Sequence, residues 1–290
     1  MTSNTERHDP YAPLRFRDYR FLLTGRFISS FANEMLSFAI GWELWLRTHS
    51  AFALGMVGLV QVVPVILLSL PAGHVADQYN RRRIVIITEF FIALFVIGLA
   101  WLSFTEGSLV LIYTFLLGVG IARAFNEPAS STLLPETVPP ELFPRAAMWN
   151  TSVWQFASIT GPALAGLLVG FFNAVTFIYV YAAASAILFC VLISFIKGRQ
   201  LALAEKSATL DSVREGIRFM RKTKVILAAI TLDMFAVLFG GAVALLPIYA
   251  TDILQVGAQG LGIMRAAPSI GALLMAFALA HLPPMKNAGK

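Results

Sequence analysis

The sequence predicts an all-α polytopic membrane protein, and three observations carry that reading. Of the 290 residues, 58% are hydrophobic and only 13% charged, with a mean hydropathy of +0.74; a soluble domain carries about 25% charged residues. Apolar runs of about 20 residues, enough to cross a hydrocarbon core, recur along nearly the whole length. No segment shows the alternating pattern of a membrane barrel strand. Backbone groups in lipid must be satisfied within each segment, so the apolar runs are helices.

Eight spans follow in order, at 21–46, 53–73, 84–104, 108–126, 147–171, 174–196, 225–250 and 258–281. The polar stretch before the first span, Thr2 to Asp9, carries no cleavable leader pattern, and the run after it is too long for a signal segment. The second span holds Gly58, Gln61 and Pro64, and the third opens after three arginines. The fourth ends in Arg123 and Glu127, four residues apart and spaced to pair. Trp149 and Trp154 stand in the fifth, and the single cysteine, Cys190, in the sixth. The seventh carries Asp233 and Gly240-Gly241, and the eighth carries Arg265.

Lysine and arginine set the orientation. With the N-terminus inside, the inner segments hold 18 of the 22 basic residues, and the outer side holds Arg47 alone. Both termini are therefore expected in the cytoplasm of a bacterial-type inner membrane. The pI of about 9.7 reports this topology and contact with anionic lipid. Basic residues scattered over separate loops do not describe a nucleic-acid surface. One cysteine and four isolated histidines (His8, His49, His74, His281) offer no disulfide and no metal site.

The longest non-apolar stretch, 197–224, separates six spans (1–196) from two (225–290). Within it Leu210, Val213, Ile217 and Met220 share a face opposite Arg214, Arg218, Arg221 and Lys222, the pattern of a basic amphipathic helix on the inner membrane surface. Gly58-Leu-Val-Gln61-Val-Val-Pro64 aligns with Gly262-Ile-Met-Arg265-Ala-Ala-Pro268 at an offset of 204 residues. The second and eighth spans thus read as equivalent helices of two parallel bundles, a transporter architecture. A full second copy would need four more helices, so a fragment, a shortened homologue and a chain that needs a partner are all open.

Between the second and third spans lies Gly73-His-Val-Ala-Asp77-Gln-Tyr-Asn-Arg81-Arg82-Arg83. Gly73 is expected to end a helix with close approach of the next, and Asp77 to pair with Arg81 across one turn. This junction resembles motif A of the major facilitator superfamily, with Gln78 where arginine is common and Asn80 where glycine is common. Gly161-Pro162-Ala-Leu-Ala-Gly166 in the fifth span is similar to motif C of the antiporter branch. Ala124-Phe-Asn-Glu-Pro128-Ala and Leu133-Leu-Pro135-Glu-Thr-Val-Pro139 resemble the branch of the enterobactin exporter and macrolide efflux pumps. The motif B arginine is absent, its place taken by Thr114. The resemblance implies a six-helix N-terminal bundle plus the first two helices of a second. It also implies a conformational latch of Gly73, Asp77, Arg81, Arg82 and Glu127.

The candidate pathway residues begin in the first span, where Arg26, Ser30, Glu34 and Ser37 follow three- and four-residue steps beside Ser29 and Asn33. An ionised carboxylate at the depth of Glu34 costs about 2.5–3.5 kcal/mol. It must face water, pair with a base or take up a proton in part of a cycle. It is either a proton-coupling or cation-binding group, or a structural acid bonded to a neighbouring helix. Asp233 either couples or snorkels; Arg265 neutralises an anionic substrate or pairs with an acid; Arg26 snorkels. Glu43 and Glu89, near helix ends, are expected to be exposed. Asn150, Gln155 and Ser158 beside the two tryptophans suit either a cavity for amphipathic compounds or contacts between helices.

These features, with the resemblance, point to a secondary transporter exporting a hydrophobic or amphipathic molecule of the drug or siderophore class by proton antiport. The alternatives are a non-transporting fragment or subunit, and a lipid or lysophospholipid transporter of the same superfamily. No HExxH, GxSxG or clustered cysteine supports an enzyme, and no cofactor is expected.

Overall fold

The computed structural model describes residues 9–172, 174–197, 218–219 and 223–281. Among them the chain is helical, without strands. Its long helices are α1 (Arg17–Thr48), α2 (Ala51–Gln78), α3 (Arg81–Phe104), α4 (Leu109–Thr137), α5 (Phe143–Phe172), α6 (Thr176–Ser194), α7 (Lys224–Gly240) and α8 (Gly257–His281). The amphipathic helix expected over Leu210 to Met220 lies outside the described residues, apart from the helical pair Arg218 and Phe219. Six of the helices, α2 to α6 and α8, are long and apolar enough to cross a membrane. α1 has the length but interrupts its apolar run with Arg26, Glu34 and Glu43.

Polar side chains start the helices where the sequence turns. Ser50, Asn80 and Ser108 accept backbone N–H groups of α2, α3 and α4, satisfying donors that have no partner within the helix. Asn80 does so with an extended backbone (φ −62°, ψ 110°) that needs no glycine. Gly73 does not end α2, which continues to Gln78 with open space where a Cβ of residue 73 would stand. The fourth helix likewise runs on to Thr137, through Pro128 and Pro135. The expected seventh span is broken: α7 stops at Gly240, followed by a 3-10 segment Gly241–Leu245, a turn Leu246–Ile248 and a π-helical turn Tyr249–Ile253. Two adjacent glycines and Pro247 weaken the α-helical ladder there.

α1 packs on α5 and α6, α3 on α4 and α6, α2 on α4, and α8 on α5. Small residues line these seams, including Ala32, Ala39, Ala93, Ala122, Ala165 and Ala183, as close helix approach in lipid requires. A second buried cluster, with Tyr19, Leu22, Val85, Leu133 and Ile193, fills the end of the bundle near the three arginines. Phe52, Leu67 and Phe104 are 78%, 71% and 80% exposed, an apolar outer surface suited to lipid.

Candidate functional site

The polar stripe of α1 faces a cavity inside the six-helix bundle. The cavity has two lobes of about 400 Å³ each, both lined by Ser29, Asn33, Glu89, Asn126, Glu127 and Trp154. Ser30, Arg26 and Asn150 add to one lobe, and Glu34, Ser37 and Arg123 to the other. α1 can come this close to α5 because Gly161 has no side chain: a Cβ there would stand 2.7 Å from the Cβ of Glu34.

The cations are held by specific acceptors. Arg26 does not snorkel; it donates to the carbonyl and, at 3.1 Å, to the hydroxyl of Ser130 in α4. Arg123 donates to Asn33 Oδ1 at 2.8 Å and Gln61 Oε1 at 3.3 Å, joining α1, α2 and α4, and forms no ion pair with Glu127. Arg265 reaches from α8 to α1, where it meets the Ser37 hydroxyl at 3.4 Å and the Phe38 ring at 5.9 Å. Glu34 lies within the electrostatic reach of both Arg265 and Arg123. Gln155 donates to the carbonyl of Ser269 in α8 at 2.9 Å. Asp233 is not brought to this group; it is exposed on α7.

The motif C residues form the seam with the second bundle. A Cβ on Gly166 would stand 2.5 Å from the Ala258 carbonyl oxygen, and one on Gly262 would stand 2.7 Å from that of Pro162. Trp45 Nε1 also donates to Thr251 Oγ1 at 2.7 Å. These contacts gather at the end of the bundle that carries Arg47. Towards the Arg81 end, the described side chains of α7 from Ile226 to Phe235 are exposed except half-buried Thr231, and α8 is exposed from Ile270 to Ala278.

The motif A residues make different contacts from those expected. Asp77 and Arg81 stand on separate helices, because the chain breaks helix at Tyr79 and Asn80, so the four-residue pairing geometry is lost. Arg81 instead pairs with Glu136 of α4 at 2.9 Å, not with Glu127. Arg82 donates to the Ser194 carbonyl at the end of α6. Asp77 has no ion pair among the described residues.

Two acids expected to be exposed are buried at 5% exposure each. Glu43 pairs with Arg47 at 2.5 Å, the four-residue spacing being the signal that could have found it. Glu89 accepts from Asn126 Nδ2 at 3.1 Å, and the same amide donates to Thr88 Oγ1 at 2.8 Å. No local spacing announces that pair, which links residues 37 apart. Among the described residues no His, Cys, Asp and Glu cluster could hold a metal ion.

Across residues 8–288 the sequence matches a family described as transmembrane secretion effectors. The chain belongs to this major facilitator family. It is similar to the staphyloferrin A transporter of Staphylococcus aureus (25% identity, 54% of this chain and 40% of the relative). It is similar to macrolide efflux protein A of Streptococcus pyogenes (27%, 73% and 54%). It is similar also to the multidrug efflux pump Tap of Mycolicibacterium fortuitum (28%, 86% and 63%). The chain thus spans roughly half the length of these relatives. A solved bacterial homologue of the iron transporter ferroportin, in an inward-facing state, shares the fold with a TM-score of 0.60 at 17% identity, covering 92% of this chain and 68% of that one. This major facilitator protein is a multi-pass membrane protein, and its relatives are transporters rather than enzymes.

Proposed function

We propose that this major facilitator chain belongs to a proton-coupled exporter of a hydrophobic or amphipathic small molecule, working by alternating access. The observation that carries the reading is Glu34, a carboxylate lining the cavity within the electrostatic reach of Arg123 of its own bundle and of Arg265. Arg265 reaches Ser37 of the same helix from the second bundle. When the bundles move apart Arg265 leaves the α1 face it meets at Ser37, so the charge on Glu34 and the conformation are linked electrostatically. Residues 1–196 form the first bundle, 197–224 the linker and 225–290 the start of the second. Efflux by the macrolide and multidrug relatives supports a drug-like cargo, and the staphyloferrin A relative supports a siderophore.

With the basic residues inside, the Arg47 end is outside and both termini are cytoplasmic. The bundles then meet outside and part towards the cytoplasm, an inward-facing arrangement that lets cargo reach Ser30, Asn33, Asn150 and Trp154. Gly73, Asp77, Arg81, Arg82 and Glu127 serve the opposite state, in which Asp77 engages the second bundle. In proteoliposomes, Glu34→Gln is expected to lower transport driven by a proton gradient at least about ten-fold while cargo binding persists, a loss of about 1.4 kcal/mol or more. Unchanged gradient-driven transport in that variant refutes the role.

A further inference from the structure

Glu89 is a buried acid with one committed oxygen. Its Oε1 accepts from Asn126, while the carboxylate as a whole lines both lobes of the cavity. The second oxygen is left to the cavity: among the described residues it has no hydrogen-bond partner, and it is not one of the enclosed orphan atoms. Among the described residues no cation stands within ion-pair distance of Glu89. Asn126 cannot slide freely, because Thr88, whose hydroxyl donates to the carbonyls of Ile84 and Val85, presents its oxygen to the same amide. The side chain is thus fixed at one oxygen and open at the other, 5% exposed, in a polar chamber.

We propose that Glu89 is a proton-binding site of the first bundle, distinct from Glu34. The ionisable groups facing it are Arg123 and Glu127 from α4, Cys190 from α6, and Arg26 and Glu34 from α1 across the cavity. α5 contributes Asn150, Thr151 and Trp154, none of them ionisable near neutrality. Glu34, Glu89 and Glu127 stand against the guanidiniums of Arg26 and Arg123, both already committed to other acceptors. Arg265 supplies the third positive charge from the second bundle. Withdrawing Arg265 leaves one carboxylate in excess, and a single proton restores the balance. Glu89 takes that proton on its open oxygen from the bulk solution, relayed through cavity water, and returns it to the bulk by water when Arg265 comes back. Intramembrane acids of this kind serve as proton relays, and here Asn126 holds the acceptor in place in both states.

The role of the proton in transport and its gating by Arg265 rest on the coupling proposed above; the capacity of Glu89 to bind a proton does not. The test is the infrared difference spectrum, acid minus alkaline, of the full chain in lipid, read at the C=O stretch of protonated carboxyls. Glu89→Gln is expected to remove a component that Glu34→Gln leaves in place. Asn126→Ala is expected to shift the frequency of that component without abolishing it, since it removes the amide donor and keeps the acid. A wild-type spectrum with no titrating carboxyl band overturns the assignment, as does a band that Glu89→Gln leaves intact. Should Glu89→Gln fail to fold, the Asn126→Ala frequency decides: no shift refutes the site. Transport indifferent to a proton gradient, with the Glu89 band present, refutes the coupling reading and leaves the proton site standing.

Discussion

The guanidinium of Arg47 meets the Glu43 carboxylate at 2.5 Å and the carbonyls of Leu102, Ser103 and Gly107 at 3.1–3.3 Å. One side chain thus neutralises a buried acid and closes the C-terminal end of α3, where carbonyls lack partners within the helix. Removing it leaves the Glu43 charge uncompensated, and Arg47→Ala should cost about 3–5 kcal/mol in chemical unfolding from detergent. Replacing both residues, as Glu43→Gln with Arg47→Met, should recover part of that loss. The Arg81–Glu136 pair, with both side chains 13% exposed, should show a coupling of about 0.5–3 kcal/mol in a double-mutant cycle. Asp77 and Arg81 should show none; a coupling there as large would mean that the pair expected from sequence spacing forms in the membrane. The difference is instructive, since spacing four apart predicts a contact only on an unbroken helix. That spacing joins Glu43 to Arg47 within α1, a pair not expected from the sequence. It fails for Asp77 and Arg81 across Tyr79 and Asn80, and for Arg123 and Glu127 even within α4, where Arg123 turns to Asn33 and Gln61 instead.

Helices meet in this chain where side chains are missing. The seam between α5 and α8 brings Gly166 against the backbone of Ala258 and Gly262, and backbone cannot rotate aside as a side chain can. Gly166→Val should therefore destabilise the chain by about 1–3 kcal/mol, whereas Gly73→Ala, with open space around it, should leave stability unchanged; equal effects in thermal unfolding would contradict this seam. The helices were legible in the sequence because hydropathy is a sum over about twenty residues and tolerates local error. Their ends were less so: α2 and α4 outrun their apolar cores by polar turns that leave the hydrocarbon, and α7 breaks at its paired glycines. The α1 half of the site was legible as a stripe, since one helix carries it. Glu89 and Asn126 were not, because a position along α3 and another along α4 say nothing of the rotation that turns both inward.

The molecule as a whole has contacts between its two bundles at one end and a polar chamber towards the other. Trp45 meets Thr251, and Gly166 meets Gly262, near Arg47, while Ser131 lines the cavity lobe that also holds Ser130, Asn150 and Thr151. Under the alternating access proposed above, this asymmetry becomes a labelling pattern. Cys190 is the only cysteine in the chain, so Cys190→Ser provides a background in which an introduced thiol reports one position. In that background Ser131→Cys should react with a membrane-impermeant maleimide added on the Arg81 side several-fold faster than with the same reagent on the Arg47 side. Thr251→Cys, packed under Trp45, should react slowly from both. A cargo or proton gradient that drives the bundles to the opposite state should slow the first and speed the second, since one rocking motion closes the chamber and opens the Trp45 contact. If both positions change together in the same direction, the bundles loosen rather than rock, and the contact of Arg265 with α1 is then a structural clamp and not a moving part of the cycle.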